Sequence, residues 1–572
     1  MTSLITHPQI MATAAADASA IGSAINEAKA AAATPTTSLA AAAQDEVSVI
    51  AARFFGAYGQ EYQALLRQAT AFHDQFVAAL GSAASAYAQA EAQIAGTLGL
   101  TGGAAAPALT AATQAADPTV DAILIMSGSG FAIPPPDFMN QAYNLYLTNF
   151  HTLPTNVLTA VVTAEGLYPI FGTKDLTLDI SLARGVGALD IAITSVLGPA
   201  VSGKAVSVFG VSQSAIIASM EMPKLLAEGY NSSNAFFTLV GDPANPNGGL
   251  LSRFPGLSIP SVGITFGAST PSNDFPTTIW TIEYDGFADF PRYPIDFLAD
   301  LNALFGISYL HGSYLFLTPS QLATAQLLPG SHTLDPTNGL TDYYMIRTAN
   351  LPLLEPLRAF PIIGNPLADL VQPDLRALIN WGYGDPNVGW STSPANVPTP
   401  FGFLPPLSAT TALGPLLVSG TQQGIGAFTN DLSALANSLP GAGSSGLAAL
   451  TPPTSASMPT SITGVLQGIE AANTNLVGTL TTDFSTAYGT LLPTADIATA
   501  LAITLPSYDA NLFLNGIIEA VNGDPVQGLM DAFGDPIAAS VGLTTLAGGF
   551  EFLAIQKALL TILTGAPNPA PI

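Results

Sequence analysis

The segment "KAVSVFGVSQSAIIASMEMPKLLA", Lys204 to Ala227, constrains this chain more than any other stretch. Lys204–Phe209 has the small and β-branched residues of a buried strand, and Ser214–Leu226 reads as a helix with Pro223 as a kink point. Only Gly210-Val211-Ser212-Gln213 is left to join them, so the chain must turn sharply from strand to helix. Other segments repeat the texture. "VDAILIMSGSGF" is a strand entering a glycine turn, "NAFFTLVGDPANPNGG" is strand then loop, and "TIWTIEYDGFADFP" is strand then turn. Short apolar strands alternating with helical segments predict a mostly parallel α/β sheet covered on both faces, over residues 120–390.

The flanking regions differ. Residues 1–98 read as a helical hairpin: an Ala-rich helix after Pro8, a break at "TPTTS", then Ile50, Phe54, Tyr58, Leu65, Phe72, Phe76, Leu80 and Tyr87 at helical spacing. The second helix carries more large apolar residues than its partner covers, which predicts a further protein packed on it. Residues 99–119 form an Ala/Gly/Pro-rich linker. Residues 391–572 turn Pro-rich and then Ala/Leu/Gly-rich, with helices expected near 462–480 and 511–530 and no chemistry assigned.

Composition narrows the function. Across 572 residues, 39 acidic side chains stand against 13 basic ones, so there is no basic cluster for nucleic acid. Absent cysteine removes thiolate nucleophiles and thiolate metal sites. No His-x-x-x-His pair or dense Asp/Asn loop appears either, and no metal or other cofactor is expected. Runs of apolar residues near 154–170 and 537–565 are short or broken as membrane spans, and the N-terminus lacks a basic signal-peptide n-region.

The chemistry falls to "GVSQS". With 53 glycines in the chain, a Gly-x-Ser-x-small pattern is expected about once by chance, so its warrant is the strand–turn–helix context. On such a turn Ser212 is the candidate nucleophile, flanked by Gly210 and Ser214 as small neighbours. The Gln213 main-chain N–H is one oxyanion donor, and Gly128 and Ser129 of the first glycine turn supply the second. Of the five histidines, His7 and His73 fall in the hairpin, and His151 lies on a segment that reads as helix and precedes the serine. His311 in "YLHGSYLF" and His332 in "GSHTLDP" remain; His311 is the candidate base and His332 an exposed turn residue. Asp289 is the first choice for the orienting acid and Asp285 the alternative, while Asp242 fits a turn cap. "FAIPPPDF" and the region 305–317 are expected to form apolar walls for an acyl group.

Residues 1–98 resemble the N-terminal module of mycobacterial PE proteins, although the naming Pro-Glu pair reads Pro8-Gln9 here. Residues from about 120 to 350 resemble the PE-PPE domain, a serine α/β-hydrolase related to cutinases and lipases. In that likeness "GVSQS" carries the nucleophile, "DGFADFP" resembles the acid loop and would give Asp289, and "HGSY" resembles the histidine loop. Tyr87 and Glu91 in "YAQAE" match the family's Tyr-x-x-x-Asp/Glu secretion signal. The resemblance implies export by type VII secretion with a PPE-family partner, and esterase or lipase activity on acyl esters at the outer envelope. An inactive surface protein on the same scaffold is the alternative; Ser214, where glycine is commoner, favours it.

Overall fold

Alternating side chains along short strands produce two cores, one on each face of a single sheet. In this computed structural model the described residues are 118–152, 158–172, 175–360, 363–438, 485–486 and 489–564, all within one compact unit spanning 115–572. The expected hairpin with its histidines, Tyr87 and Glu91, nearly all of the linker, and the helix near 462–480 lie outside them.

Seven strands make the sheet: β1 (Ala122–Ile125), β2 (Leu158–Ala160), β3 (Val206–Val211), β4 (Ala235–Val240), β5 (Thr277–Ile282), β6 (Gln326–Leu327) and β7 (Thr341–Ile346). Their order is β6-β7-β5-β4-β3-β1-β2, parallel throughout except for the antiparallel edge pair β6–β7. Leu124, Val206, Val208, Leu239 and Ile279 point to one core, filled by α2 (Leu178–Leu197) and α3 (Gln213–Ala227). Ile123, Ile125, Phe209, Val240 and Ile282 point to the other, against the short α1 (Pro136–Ala142) and the turns around Tyr146 and Tyr314. The chain first steps from β1 to β2, then returns past β1 to build β3, β4 and β5 on the other side. That reversal opens a crevice at the carboxyl ends of β1 and β3, where parallel sheets of this kind hold ligands.

His151 departs from its expected helix. The apolar spacing of Tyr143, Tyr146 and Leu147 is helical and the chain is helical through Leu147, but His151–Thr152 then pairs as a short parallel strand with Thr119–Val120. Pairing with a distant segment overrides the local pattern there.

The Pro-rich stretch after 390 runs along the sheet domain. Thr399 N–H donates to Pro246 O, Phe401 N–H to Arg253 O, and the buried Arg253 guanidinium returns a bond to Thr399 O (2.5 Å). Before it come α4 (Phe297–Tyr309) and α5 (Gly364–Trp381) of the domain, and beyond it α6 (Leu407–Ser438), α7 (Leu491–Thr499), α8 (Leu505–Val521) and α9 (Pro525–Thr564). The single helix expected over 511–530 is two, broken at Asn522-Gly523-Asp524. There Gly523 takes a φ of 126° and the Asp524 carboxylate accepts the Gln527 N–H. α8 and α9 form an antiparallel hairpin whose Leu505, Ala538, Leu543 and Leu546 share a core with Leu250, Phe254 and Phe290.

Three helical segments, Leu178–Leu197, Leu491–Val521 and Pro525–Leu559, are long and apolar enough to cross a membrane by length and composition alone. This differs from the broken runs expected, because helices pass through Gly and Pro positions that interrupt a linear count. α2 uses its apolar stripe, Leu182, Leu189 and Ile193, inside the protein.

Candidate active site

Ser212 sits where β3 becomes α3, with φ 57° and ψ −120°. An L-residue adopts that conformation only when its surroundings enforce it. The enforcement is visible. Ser214 Oγ accepts the Val211 N–H (2.8 Å) and donates to Val211 O (3.0 Å), clamping the turn from inside. A Cβ at Gly210 would lie 2.7 Å from Ser214 O and 3.0 Å from Ala215 Cα, so strand and helix approach as closely as glycine permits. Among the described non-glycine residues, only Ser212, Tyr284 (69°) and Glu165 (48°) have positive φ. All three belong to loops around one crevice.

The imidazole of His311 lies over the serine. Its Nε2 is 2.7 Å from Ser212 Oγ, and its Nδ1 is 2.9 Å from both carboxylate oxygens of Asp285. His311 opens the 3-10 turn His311–Phe316 that follows α4. Such a turn stacks residues three apart on one side, and this brings Tyr314 beneath the imidazole. The Tyr314 hydroxyl donates to Asp285 Oδ2 (2.6 Å) and accepts the Ile282 N–H (3.0 Å). Asp285 is fully buried, and its Oδ1 also accepts the Phe287 N–H (3.1 Å).

Asp289, favoured for its depth in the loop, is therefore not the carboxylate against His311. The backbone turns at Tyr284, which aims Asp285 at the imidazole and folds Asp289 back beneath the turn. There Asp289 Oδ2 accepts the Tyr284 N–H (3.0 Å). Burial holds the Asp289 carboxyl well above the ordinary carboxylate range, with the Tyr284 bond and Arg253 acting in the opposite direction. Asp242 caps its turn by accepting the Ala244 N–H, and burial pushes it up to about 6. His332 lies in a turn, half-buried rather than exposed, with Nδ1 2.6 Å from Gly339 O.

Facing Ser212 across the crevice is the turn after β1. A Cβ at Gly128 would stand 3.3 Å from Ser212 Cβ, so this turn closes tightly against the serine and a side chain there would make its neighbours give by a few tenths of an ångström. Ser129 Oγ donates to Gln213 Oε1 (2.7 Å), and Gln213 Nε2 donates to Ser181 Oγ (2.5 Å). The Ser129 hydroxyl is thus turned toward Gln213. Among the described residues, the main-chain N–H groups of Ser129 and Gln213 have no acceptor. Behind the turn, Gly130 N–H donates to Glu165 O (2.8 Å).

Ser129, Ser212 and Gln213 open into a cleft of about 140 Å³ lined almost wholly by apolar side chains. Its wall differs from the one expected. Phe131 and Ile133 of "FAIPPPDF" are exposed, as are Tyr309 and Phe316, and none of them lines it. Leu250, Leu257, Ile259 and Phe266 do, together with residues of α7, α8, α9 and the turn 500–504. A hydroxyl, an imidazole and a buried carboxylate in series can move a proton off the hydroxyl while it attacks a carbonyl. Two free N–H groups beside it can receive the resulting oxyanion.

Comparison with known proteins adds ancestry. Residues 4–94 match the PE family model and residues 154–384 the PE-PPE domain model. All relatives named here are from Mycobacterium tuberculosis. PE family protein PE3 is 40% identical over 429 residues, covering 74% of this chain and 87% of that protein. The chain belongs to the PE family. Esterase PE16 is 44% identical over 70% of this PE protein and 71% of its own length. A PPE family protein, PPE28, is 48% identical over 79% of the chain and 67% of its own. In this PE protein, Ser212, Asp285 and His311 all fall inside the PE-PPE match, whereas β1 and its Gly128–Ser129 turn precede it.

Sequence reasoning missed Tyr314 and Phe287. Tyr314 stands three residues after His311, a spacing that a short helical turn makes meaningful. Phe287 packs edge-on to the His311 ring with centroids 4.8 Å apart. No local signal marks the contribution of α7–α9 to the cleft.

Proposed function

We propose that this PE protein is a serine carboxylic-ester hydrolase acting on acyl esters through an acyl-enzyme. The reading rests on one observation, the Ser212–His311–Asp285 series opening into an apolar cleft. Ser212 Oγ attacks the ester carbonyl carbon while His311 Nε2 takes its proton. Asp285 holds the Nδ1–H tautomer and stabilises the imidazolium. The N–H groups of Gln213 and Ser129 bind the oxyanion. As the intermediate collapses, the alcohol leaves with the proton from His311. Water, deprotonated by the same imidazole, then attacks the acyl carbonyl and frees the acid and Ser212. The name of esterase PE16 points the same way.

Two measurements test this. Wild type and S212A are assayed on p-nitrophenyl acetate, butyrate and octanoate, and both are treated with a fluorophosphonate probe. Hydrolysis and labelling that vanish together in S212A support the assignment. A wild-type protein that neither hydrolyses nor labels is an inactive scaffold.

Residues 1–98 add a second part to the proposal. As the PE module, they carry the chain through type VII secretion with a PPE-family partner, to the outer envelope or beyond, with Tyr87 and Glu91 as the signal. A Tyr87→Ala chain is then retained inside the cell; normal export of that variant rejects the signal.

A further inference from the structure

We propose that α7–α9 form the far wall of an acyl-chain slot, so that the substrate is an ester of a fatty acyl chain and these helices set its length. This deepens the ester-hydrolase reading and rests on it for the reaction at Ser212.

Polarity along the cleft is the first argument. Ser129, Ser212 and Gln213 make its polar end, Thr504 adds one hydroxyl from the C-terminal side, and no charged side chain lines any part of it. Tyr168 also borders the cleft, but its hydroxyl is bonded to Asp496 Oδ2 (2.5 Å). A sugar, a phosphate or a headgroup would find almost nothing to bond to there. Hydrocarbon would.

The reach of the wall is the second. It runs from Leu167 and Ile216 of the sheet domain to Ile497 and Phe550 of the C-terminal helices. A wall drawn from both offers a hydrocarbon chain apolar contact beyond the reacting carbonyl.

The third concerns who supplies the wall. Leu501, Leu505, Leu543 and Leu546 face the cleft, opposite Leu250 and Leu257. The same helices reach the serine end. Phe550 stacks on Phe287 with centroids 6.3 Å apart, and Phe287 is the ring packed against His311. Few polar bonds tie the helices down: Tyr168 to Asp496, Ser261 Oγ to Asp496 O (2.9 Å), Tyr508 hydroxyl to Pro255 O (3.2 Å) and Lys557 Nζ to Ile170 O (3.4 Å). At two points the wall is only alanine deep, Ala500 before α8 and Ala547 on α9. Those positions are where the slot can be filled without cutting any of these bonds.

The test uses the full-length protein with A547W and, from the other helix, A500L. One readout is the ratio of kcat/KM for p-nitrophenyl decanoate to that for the acetate. The other is the affinity of cis-parinaric acid for each variant in the S212A background, with circular dichroism reporting folding. Because each excluded methylene forfeits about 1–3 kcal/mol, blocking even one or two positions lowers the decanoate-to-acetate ratio about tenfold or more. Parinaric acid affinity falls with it. The smaller A500L substitution decides the matter if A547W does not fold. An unchanged ratio and unchanged parinaric acid affinity in a folded variant overturn the slot while leaving Ser212-dependent hydrolysis intact. Conversely, a wild type that hydrolyses no ester but binds parinaric acid, with binding lost in A547W, keeps the slot and overturns the hydrolase.

Discussion

Asp285 presents both carboxylate oxygens to His311 Nδ1 at 2.9 Å, while Asp289, four residues on, spends an oxygen on the Tyr284 N–H. The two acids therefore have separable consequences. Asp285→Asn offers the imidazole an amide in place of the charge that fixes its tautomer, and kcat on butyrate esters falls about 10⁴-fold. Asp289→Asn keeps a neutral acceptor for the Tyr284 N–H and costs no more than about tenfold. Equal losses in the two variants would show that the loop acts as one unit.

Tyr314 ties that carboxylate to the sheet through its bonds to Asp285 and to the Ile282 N–H. Tyr314→Phe leaves a buried main-chain donor without its acceptor. Urea denaturation should report a loss of about 1–3 kcal/mol. Because Asp285 keeps its Phe287 bond and its contact with His311, kcat falls far less than in Asp285→Asn.

The tight turn at Ser212 depends on Gly210. In Gly210→Ala the new methyl meets main-chain atoms, Ser214 O at 2.7 Å among them, and backbone cannot step aside as a flexible side chain can. Separating β3 from α3 moves Ser212 away from His311. A folded Gly210→Ala protein is expected to lose fluorophosphonate labelling; labelling at the wild-type rate would mean that the turn tolerates a wider approach.

How much of this was legible depended on the distance over which each feature is encoded. The turn at Ser212, the strand preceding it and the glycine turn at 127–130 are local patterns of residue size and branching, and they read directly. The choice between Asp285 and Asp289 was not local. It hangs on Tyr284 adopting φ 69°, and no propensity marks a tyrosine for that conformation. His151 misled because helical spacing continues through Phe150 while the backbone has already left the helix to pair with Thr119. The cleft's far wall was hidden for a different reason. Leu501 and Leu543 meet Leu250 and Phe254 across some 250–290 positions of chain, and an apolar stripe on a helix does not name what it will cover.

Glu165 offers a test by pH. It is 1% exposed, has positive φ, and its carbonyl holds Gly130 behind the turn facing Ser212. Burial pushes its carboxyl up from 4.5 to about 8, with the bond from Thr163 Oγ1 (2.5 Å) pulling weakly the other way. The unfolded chain gives up this proton near 4.5 and the folded one near 8. Between those values the folded state holds a proton that the unfolded state has lost, so stability drains away as pH rises and levels off above about 8. Glutamine keeps an acceptor for Thr163 and has no proton to lose. Glu165→Gln should therefore match wild type near pH 4.5 and gain on it steadily, by on the order of 3 kcal/mol at pH 7. Above pH 8 the difference stays constant. Urea midpoints of both proteins at pH 5, 7 and 9 check this; a gap between them that does not widen from pH 5 to pH 7 would mean that Glu165 is already ionised in the fold.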